Sequence, residues 1–206
     1  MMLIPHHTTI TTSQEELDAL VRSAVPRQGQ WREEDYLWLS DHASALIEFT
    51  DGYIDVLPIP TDRHQSILLF LYRLFFAAVE LQDGKVLVAP LRLRIRPGKY
   101  REPDLLVVHS ARDAHRQDQF WIGADLVLEV VSHDKPERDL VEQRGDYAEG
   151  GIPAYWIVNP LDETITVLRL SGDAYVEHGT FERGAQATSA LLEGFAVGVD
   201  AVFDAE

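Results

Sequence analysis

"PDLLVV" (Pro103–Val108) and "DLVLEVVS" (Asp125–Ser132) lie within the stretch Arg101–Asp134, and their reading decides the fold. Both are short valine- and leucine-rich runs bounded by polar or turn-forming residues, the pattern of strands covered on both faces. Each carries one acid in an otherwise apolar run: Asp104 enters the first and Glu129 interrupts the second. A buried carboxylate is costly unless it is paired or binds a cation. Two on neighbouring strands also repel each other, and a shared Mg²⁺ resolves both problems, because Mg²⁺ takes a few carboxylates and completes its shell with water and phosphate oxygens. A purely structural alternative is read from the same residues. Asp104 would then sit at a strand mouth, and Glu129 would pair with an arginine such as Arg92 or Arg94.

Outward from this pair the chain alternates between helical and extended patterns. Towards the N-terminus, "KVLVAPLRLRIRP" reads as a strand pair or one bent strand. Its second half alternates Leu91, Leu93 and Ile95 with Arg92, Arg94 and Arg96, so the three arginines share a face that could follow a phosphate backbone. Before it, Asp62–Gln82 is apolar over most of a helical circumference and stops at Asp83-Gly84. Such a helix is expected to be buried on more than one side, in a core or against a partner. "SALIEFTDGYIDVL" reads as a hairpin, with strands Ser44–Thr50 and Tyr53–Leu57 about an Asp51-Gly52 turn. Short helices are expected over Arg32–Asp41 and Gln14–Val25.

Towards the C-terminus, "PERDLVEQRGDYAEGG" has proline near its start and a glycine pair at its end, as a helix does. "AYWIVNP" reads as a buried strand, and "TITVLRLSGDAYVEHGTF" as a hairpin turning at Ser171–Asp173. "ALLEGFAVGVDAVF" reads as a strand followed by a helical turn. The order gives a mixed α/β domain (an α+β mixed sheet with flanking helices and N- and C-terminal hairpins) rather than a regular βαβ repeat. Residues 1–30 read as an N-terminal extension and 31–206 as a single domain.

Composition narrows the function classes. The 206 residues suffice for one domain with a sizeable core, and 46% apolar content with four tryptophans fits a globular chain. There is no cysteine, which excludes disulfides and thiol chemistry. The formal net charge of −16 argues against nucleic-acid binding through the whole surface, but allows a local basic groove or a metal that reverses the local field. No stretch reads as reaching the roughly 18 apolar residues of a membrane span, and the first residues lack the pattern of a signal peptide, so a cytoplasmic location is expected.

Four blocks, "EFTDGYIDVLPIPTDRHQ", "EPDLLVV", "DLVLEVVSHD" and "RDLVEQRGDYAEGGIPAYWIVNP", resemble the Uma-type restriction endonuclease family. The resemblance runs from about Trp31 to Tyr175. It implies a restriction-endonuclease-like core similar to that of the PD-(D/E)xK nucleases, in which acids and a lysine surround a divalent metal, Mg²⁺ or Mn²⁺. By position it assigns Asp104 and Glu129 as the paired acids and metal ligands, with the carbonyl of Val130. Glu48 matches an acid near the same site, and His64 the histidine that opens the long helix. Tyr147 matches a tyrosine four residues after the family lysine. The lysine position itself holds Gln143, while Val131 stands where the plain superfamily signature has lysine. Lys135 and Arg144 are the nearby cations that could substitute. Glu48 or His64 would orient the attacking water or hold a second metal.

Two functions follow from the resemblance: a metal-dependent nuclease acting on DNA, or a catalytically reduced binding or regulatory module. The acids favour the first, and Gln143 with the net charge favours the second. The surplus apolar surface of Asp62–Gln82, with Phe70, Phe75 and Phe76 on different sides, leads to the expectation of a homodimer.

Overall fold

The computed structural model describes Ser13, residues 25–133 and residues 137–206. Apart from Val25, the helix expected at Gln14–Val25 lies outside these residues, as does Lys135. Helix α1 (Glu33–His42) leads into a four-stranded antiparallel sheet built from β1 (Ile47–Thr50), β2 (Tyr53–Val56), β4 (Leu93–Arg96) and β5 (Lys99–Arg101), in the order β2-β1-β5-β4. A larger six-stranded sheet contains β3 (Lys85–Val88), β6 (Leu105–Val108), β7 (Leu126–Val130), β8 (Ala154–Asn159), β9 (Thr164–Ser171) and β10 (Ala174–Phe181), in the order β10-β9-β8-β7-β6-β3. β7 and β8 run parallel and the other neighbours antiparallel. A parallel neighbour needs a crossover. Here it carries a π-helical turn (Arg138–Glu142) and helix α3 (Gln143–Glu149). A small hairpin of β11 (Gln186–Thr188) and β12 (Ala196–Gly198) and a last helix, α4 (Val199–Phe203), complete the chain.

The run Lys85–Pro97 is two strands in two different sheets. The face of three arginines expected there does not form a phosphate track. Arg92 binds Asp41 at 2.6 Å, Arg94 stacks over Phe120, and Arg96 joins Asp51 and Glu149. Strand β5 is too short at three residues to show a period, and it is reached from β4 through Gly98, whose φ of +80° suits glycine.

Helix α2 (Asp62–Val79) covers one face of the large sheet through Ile67, Leu68, Leu71, Phe75 and Val79, with Phe75 edge-on to Trp156. Including a final 3₁₀ turn, Asp62–Gln82 has a mean hydropathy of 1.3, long and apolar enough by composition to cross a membrane, contrary to the sequence reading. Part of that apolar surface is buried on the sheet. Leu69 and Phe76, seven residues apart, point outwards and are exposed. The opposite face of the large sheet packs through Leu106, Val127, Val131, Tyr155 and Ile157 against Tyr147 of α3 and Leu93 and Ile95 of β4.

Candidate functional site

The two acids sit where the β6–β7 ladder ends. Leu105 faces Leu128 across an antiparallel register, so the next pair in line is Asp104 opposite Glu129. Alternation along each strand sets their side. Leu105, Val107, Leu126, Leu128 and Val130 belong to the core under α2, whereas Leu106 and Val127 belong to the core under α3. Glu129 therefore lies on the α3 side, while Asp104, just before β6, is met by His64 of α2.

Their carboxylates take over from the backbone ladder. The Asp104 amide donates to Glu129 Oε2 at 3.1 Å, and the Val130 amide donates to Asp104 Oδ2 at 2.8 Å. Each acid thus binds a backbone donor of the other's strand. His64 Nε2 lies 3.0 Å from the same Asp104 oxygen. It is placed there from the first turn of α2, whose cap residue Thr61 accepts the His64 amide at 3.2 Å. The Tyr147 hydroxyl donates to Glu129 Oε1. Its ring is fully buried, edge-on to Tyr155, and burial, with Glu129 adding to it, pushes its pKa well above the ordinary tyrosine value. The hydroxyl therefore stays a donor. Glu129 is 5% exposed; of the arginines expected as its partners, Arg92 holds Asp41 and Arg94 stacks over Phe120.

Asp104, Glu129, Val130, His64 and Gln143 line one cavity of about 580 Å³, with Glu102, Arg138 and an apolar wall that includes Leu57, Ile59 and Leu161. That volume is in the range of small-molecule and cofactor sites. Gln143 is 2% exposed, and its side-chain oxygen has no hydrogen-bond donor among the described residues. A buried acceptor without a donor is costly, and the cavity side offers room for one. Arg144 turns away and donates to the Tyr175 carbonyl at 3.0 Å.

Glu48 stands apart from the other candidates. It lines a neighbouring cavity of about 410 Å³, beyond a wall that Arg138 and Gln143 form between the two. There its carboxylate meets Arg138 at 2.5 Å and Arg101 at 3.5 Å, and accepts the Glu102 amide at 3.0 Å. Two guanidiniums and an amide occupy this acid, a setting for holding cations rather than orienting a water.

Two residues of the site were not reached from the sequence. Glu102, the residue before Pro103, lines the cavity of Asp104 and Glu129 and accepts the Ile47 amide at 3.1 Å. Burial raises its pKa to about 7, and nearby Glu48 adds to the rise against the Ile47 bond. Its place beside "PD" was the available signal. Arg138 is the second, and a helical wheel conceals it, as described below.

The donor set fits a Mg²⁺-type ion rather than a caged metal. Among the described residues no three His, Asp or Glu side chains gather as a metal cluster. Two adjacent carboxylates open to a cavity are what Mg²⁺ uses when water and a substrate phosphate complete its shell. His64 and Tyr147 hold the two carboxylates in place, as the outer partners of metal ligands do.

A profile of the family described as "Uma2: Putative restriction endonuclease" matches residues 33–200. Among solved structures, the chain is similar to one described as a putative nuclease belonging to DUF820 from Anabaena variabilis. The TM-score is 0.63 at 18% identity, over 76% of this chain and 89% of that one. At that identity the likeness concerns the fold, and it agrees with the mixed α/β, nuclease-like architecture. No curated protein matches.

Proposed function

The chain belongs to the Uma2 family of putative restriction endonucleases, and from that premise we propose that it is a Mg²⁺- or Mn²⁺-dependent endonuclease hydrolysing DNA phosphodiesters. The observation that carries the reading is the Asp104–Glu129 pair, adjacent at the end of the β6–β7 ladder and lining one cavity. Asp104, Glu129 and the Val130 carbonyl would hold the ion. When bound, it supplies Lewis-acid polarisation of the phosphate and a water of lowered pKa.

The protein's own residues do the rest. His64 and the Val130 amide fix Asp104, and Tyr147 fixes Glu129, so neither carboxylate needs to reorganise during reaction. Water attacks phosphorus and the bond from phosphorus to the leaving sugar oxygen breaks. The water gives one proton to solvent and the leaving oxygen gains one. Gln143 offers an amide where the family has a lysine, so it can hydrogen-bond but brings no charge, and it lowers the rate expected of this chain. That same residue supports the second reading, a catalytically reduced binding or regulatory module.

The reading includes a cytoplasmic location and a homodimer through the outward side of α2, where Leu69 and Phe76 are exposed. Light scattering that returns a monomer mass at micromolar concentration contradicts the dimer. The activity is tested by a cleavage screen on single-stranded, double-stranded and branched DNA with Mg²⁺ and Mn²⁺. Metal-dependent cleavage that Asp104→Ala abolishes supports the nuclease. Cleavage that survives Asp104→Ala places the site elsewhere, and metal binding without cleavage supports the binding module.

A further inference from the structure

A phosphoryl-transfer site needs positive charge near the phosphorus as negative charge builds on its oxygens. Gln143 cannot supply it. Two described arginines line the cavity that holds Asp104 and Glu129. Arg63 is half-exposed and bound to Glu163 at 3.0 Å. Arg138 is largely buried, opens the π turn five residues before Gln143 and, with it, lines both cavities.

The π turn is what brings it there. In an α-helix, residues five apart are rotated by about 140°, which would send Arg138 away from the face of Gln143 and Tyr147. Here the Gln143 amide bonds to the Arg138 carbonyl, the i→i+5 bond of a π-helix, and the added residue returns Arg138 to the same side. π-bulges occur often at functional sites. Behind Arg138 stands Glu48, whose carboxylate binds the guanidinium at 2.5 Å, and Arg101 reinforces Glu48 from β5. A guanidinium has five donors in a fixed fork, and this one rests on Glu48 while its side chain lines the cavity of Asp104 and Glu129.

We infer that Arg138 is the catalytic cation of this site, taking by way of the π turn the charge role that the family lysine would have at Gln143, with Glu48 as its positioning residue. The inference rests on the nuclease reading. It assigns Glu48 to holding a guanidinium instead of orienting a water.

The test measures Mn²⁺-dependent cleavage of a labelled DNA oligonucleotide and, separately, Mn²⁺ binding, on the wild-type chain, Arg138→Gln, Arg138→Lys and the double variant Arg138→Gln/Gln143→Lys. Thermal melting of each variant controls for folding, since Glu48 loses a partner. Arg138→Gln is expected to cut the rate by about 10²–10³, the usual effect of removing one preorganised donor, with Mn²⁺ binding unchanged. Arg138→Lys restores most of the rate. The double variant restores it too, with a new alkaline limb in its pH profile as the introduced amine loses its proton, a limb that arginine cannot give. Wild-type cleavage with Arg138→Gln equally active overturns the assignment of Arg138 while leaving the nuclease reading intact. A slow Arg138→Gln that neither rescue restores shows a structural role and also overturns it. A wild type that binds Mn²⁺ and cleaves nothing overturns the inference together with the nuclease reading.

Discussion

Two groups of acids occupy the two sides of α3, and they are stabilised differently. On the side of the small sheet, Asp146 and Glu149 of α3 hold Lys99 at 2.8 and 2.6 Å. Asp146 also holds Arg101 at 2.6 Å, Glu149 holds Arg96 at 2.7 Å, and Glu48 joins Arg101 to Arg138. Every acid there faces an ammonium or guanidinium. Lys99 shows the outcome: burial pulls its pKa down, and Asp146 and Glu149 more than reverse that. On the side of the large sheet, the partners described for Asp104 and Glu129 are backbone amides, a tyrosine hydroxyl and a histidine ring, and the pair lines a cavity. The first group fastens the small sheet to the crossover helix. The second presents oriented carboxylate oxygens to whatever enters the cavity. The first group is thus built into an ionic network, while the second lines a cavity.

The largest expected effect breaks the first group. Asp146→Ala leaves Lys99 and Arg101 with less compensation at a mostly buried interface, and breaking such pairs costs about 3 kcal/mol. Urea unfolding should show that loss, while Mn²⁺ binding by the second group stays as in the wild type. An unfolding midpoint equal to that of the wild type would mean that the network does not fasten the sheet.

A smaller effect concerns Glu102, which lies between the two groups. Its folded pKa of about 7 exceeds its ordinary value of 4.5, so the native state binds its proton more tightly than the unfolded chain does. Below 4.5 the group is protonated in both states and its contribution is fully present. Between 4.5 and about 7 the unfolded chain ionises first and stability falls, levelling off above 7. The loss over the whole window is roughly 3 kcal/mol. Glu102→Gln should remove this part of the decline, giving a flatter stability curve between pH 5 and 8 and a gain at pH 8. An unchanged slope would show that Glu102 does not titrate there.

The architecture was largely legible in sequence because its main devices are local. The apolar runs of β6, β7 (broken only by Glu129) and β8 declare strands covered on both faces, Asp51-Gly52 declares the first hairpin, and the apolar pattern of α2 declares a packed helix. What was hidden depends on contacts between distant segments. β5 is three residues long and takes its place from pairing with Phe49 and Thr50 of β1. Lys85–Pro97 divides between two sheets, although one alternation runs through its second half. At the site, "PD", Glu129, His64 and Tyr147 were readable as blocks, and their meeting follows from the β6–β7 register and the cap at Thr61. Arg138 was hidden because a 3.6-residue wheel gives the wrong face for a residue that enters through a π turn. Glu48 was readable as an acid, but its two arginine partners lie 53 and 90 residues away along the chain.

The smallest effect sharpens the second group. Tyr147→Phe removes the hydroxyl that orients Glu129 but keeps the ring. Loss of such an outer partner typically weakens metal binding by 10–100-fold, and the lower end, about tenfold, is expected because Asp104 retains its own partners. Calorimetric titration with Mn²⁺ reads the change. Affinity equal to that of the wild type would separate Tyr147 from the metal chemistry and leave it a packing residue.

The central claim is that Asp104 and Glu129 together hold a divalent cation. Asp104→Asn tests it most directly, because the amide oxygen can still accept the Val130 amide and the fold is preserved, while the charge that binds metal is gone. In Mn²⁺ titrations of the two proteins, matched for melting temperature, the wild type should bind a single ion and Asp104→Asn should bind at least about a hundredfold more weakly. Equal Mn²⁺ affinity in the two proteins would contradict the account.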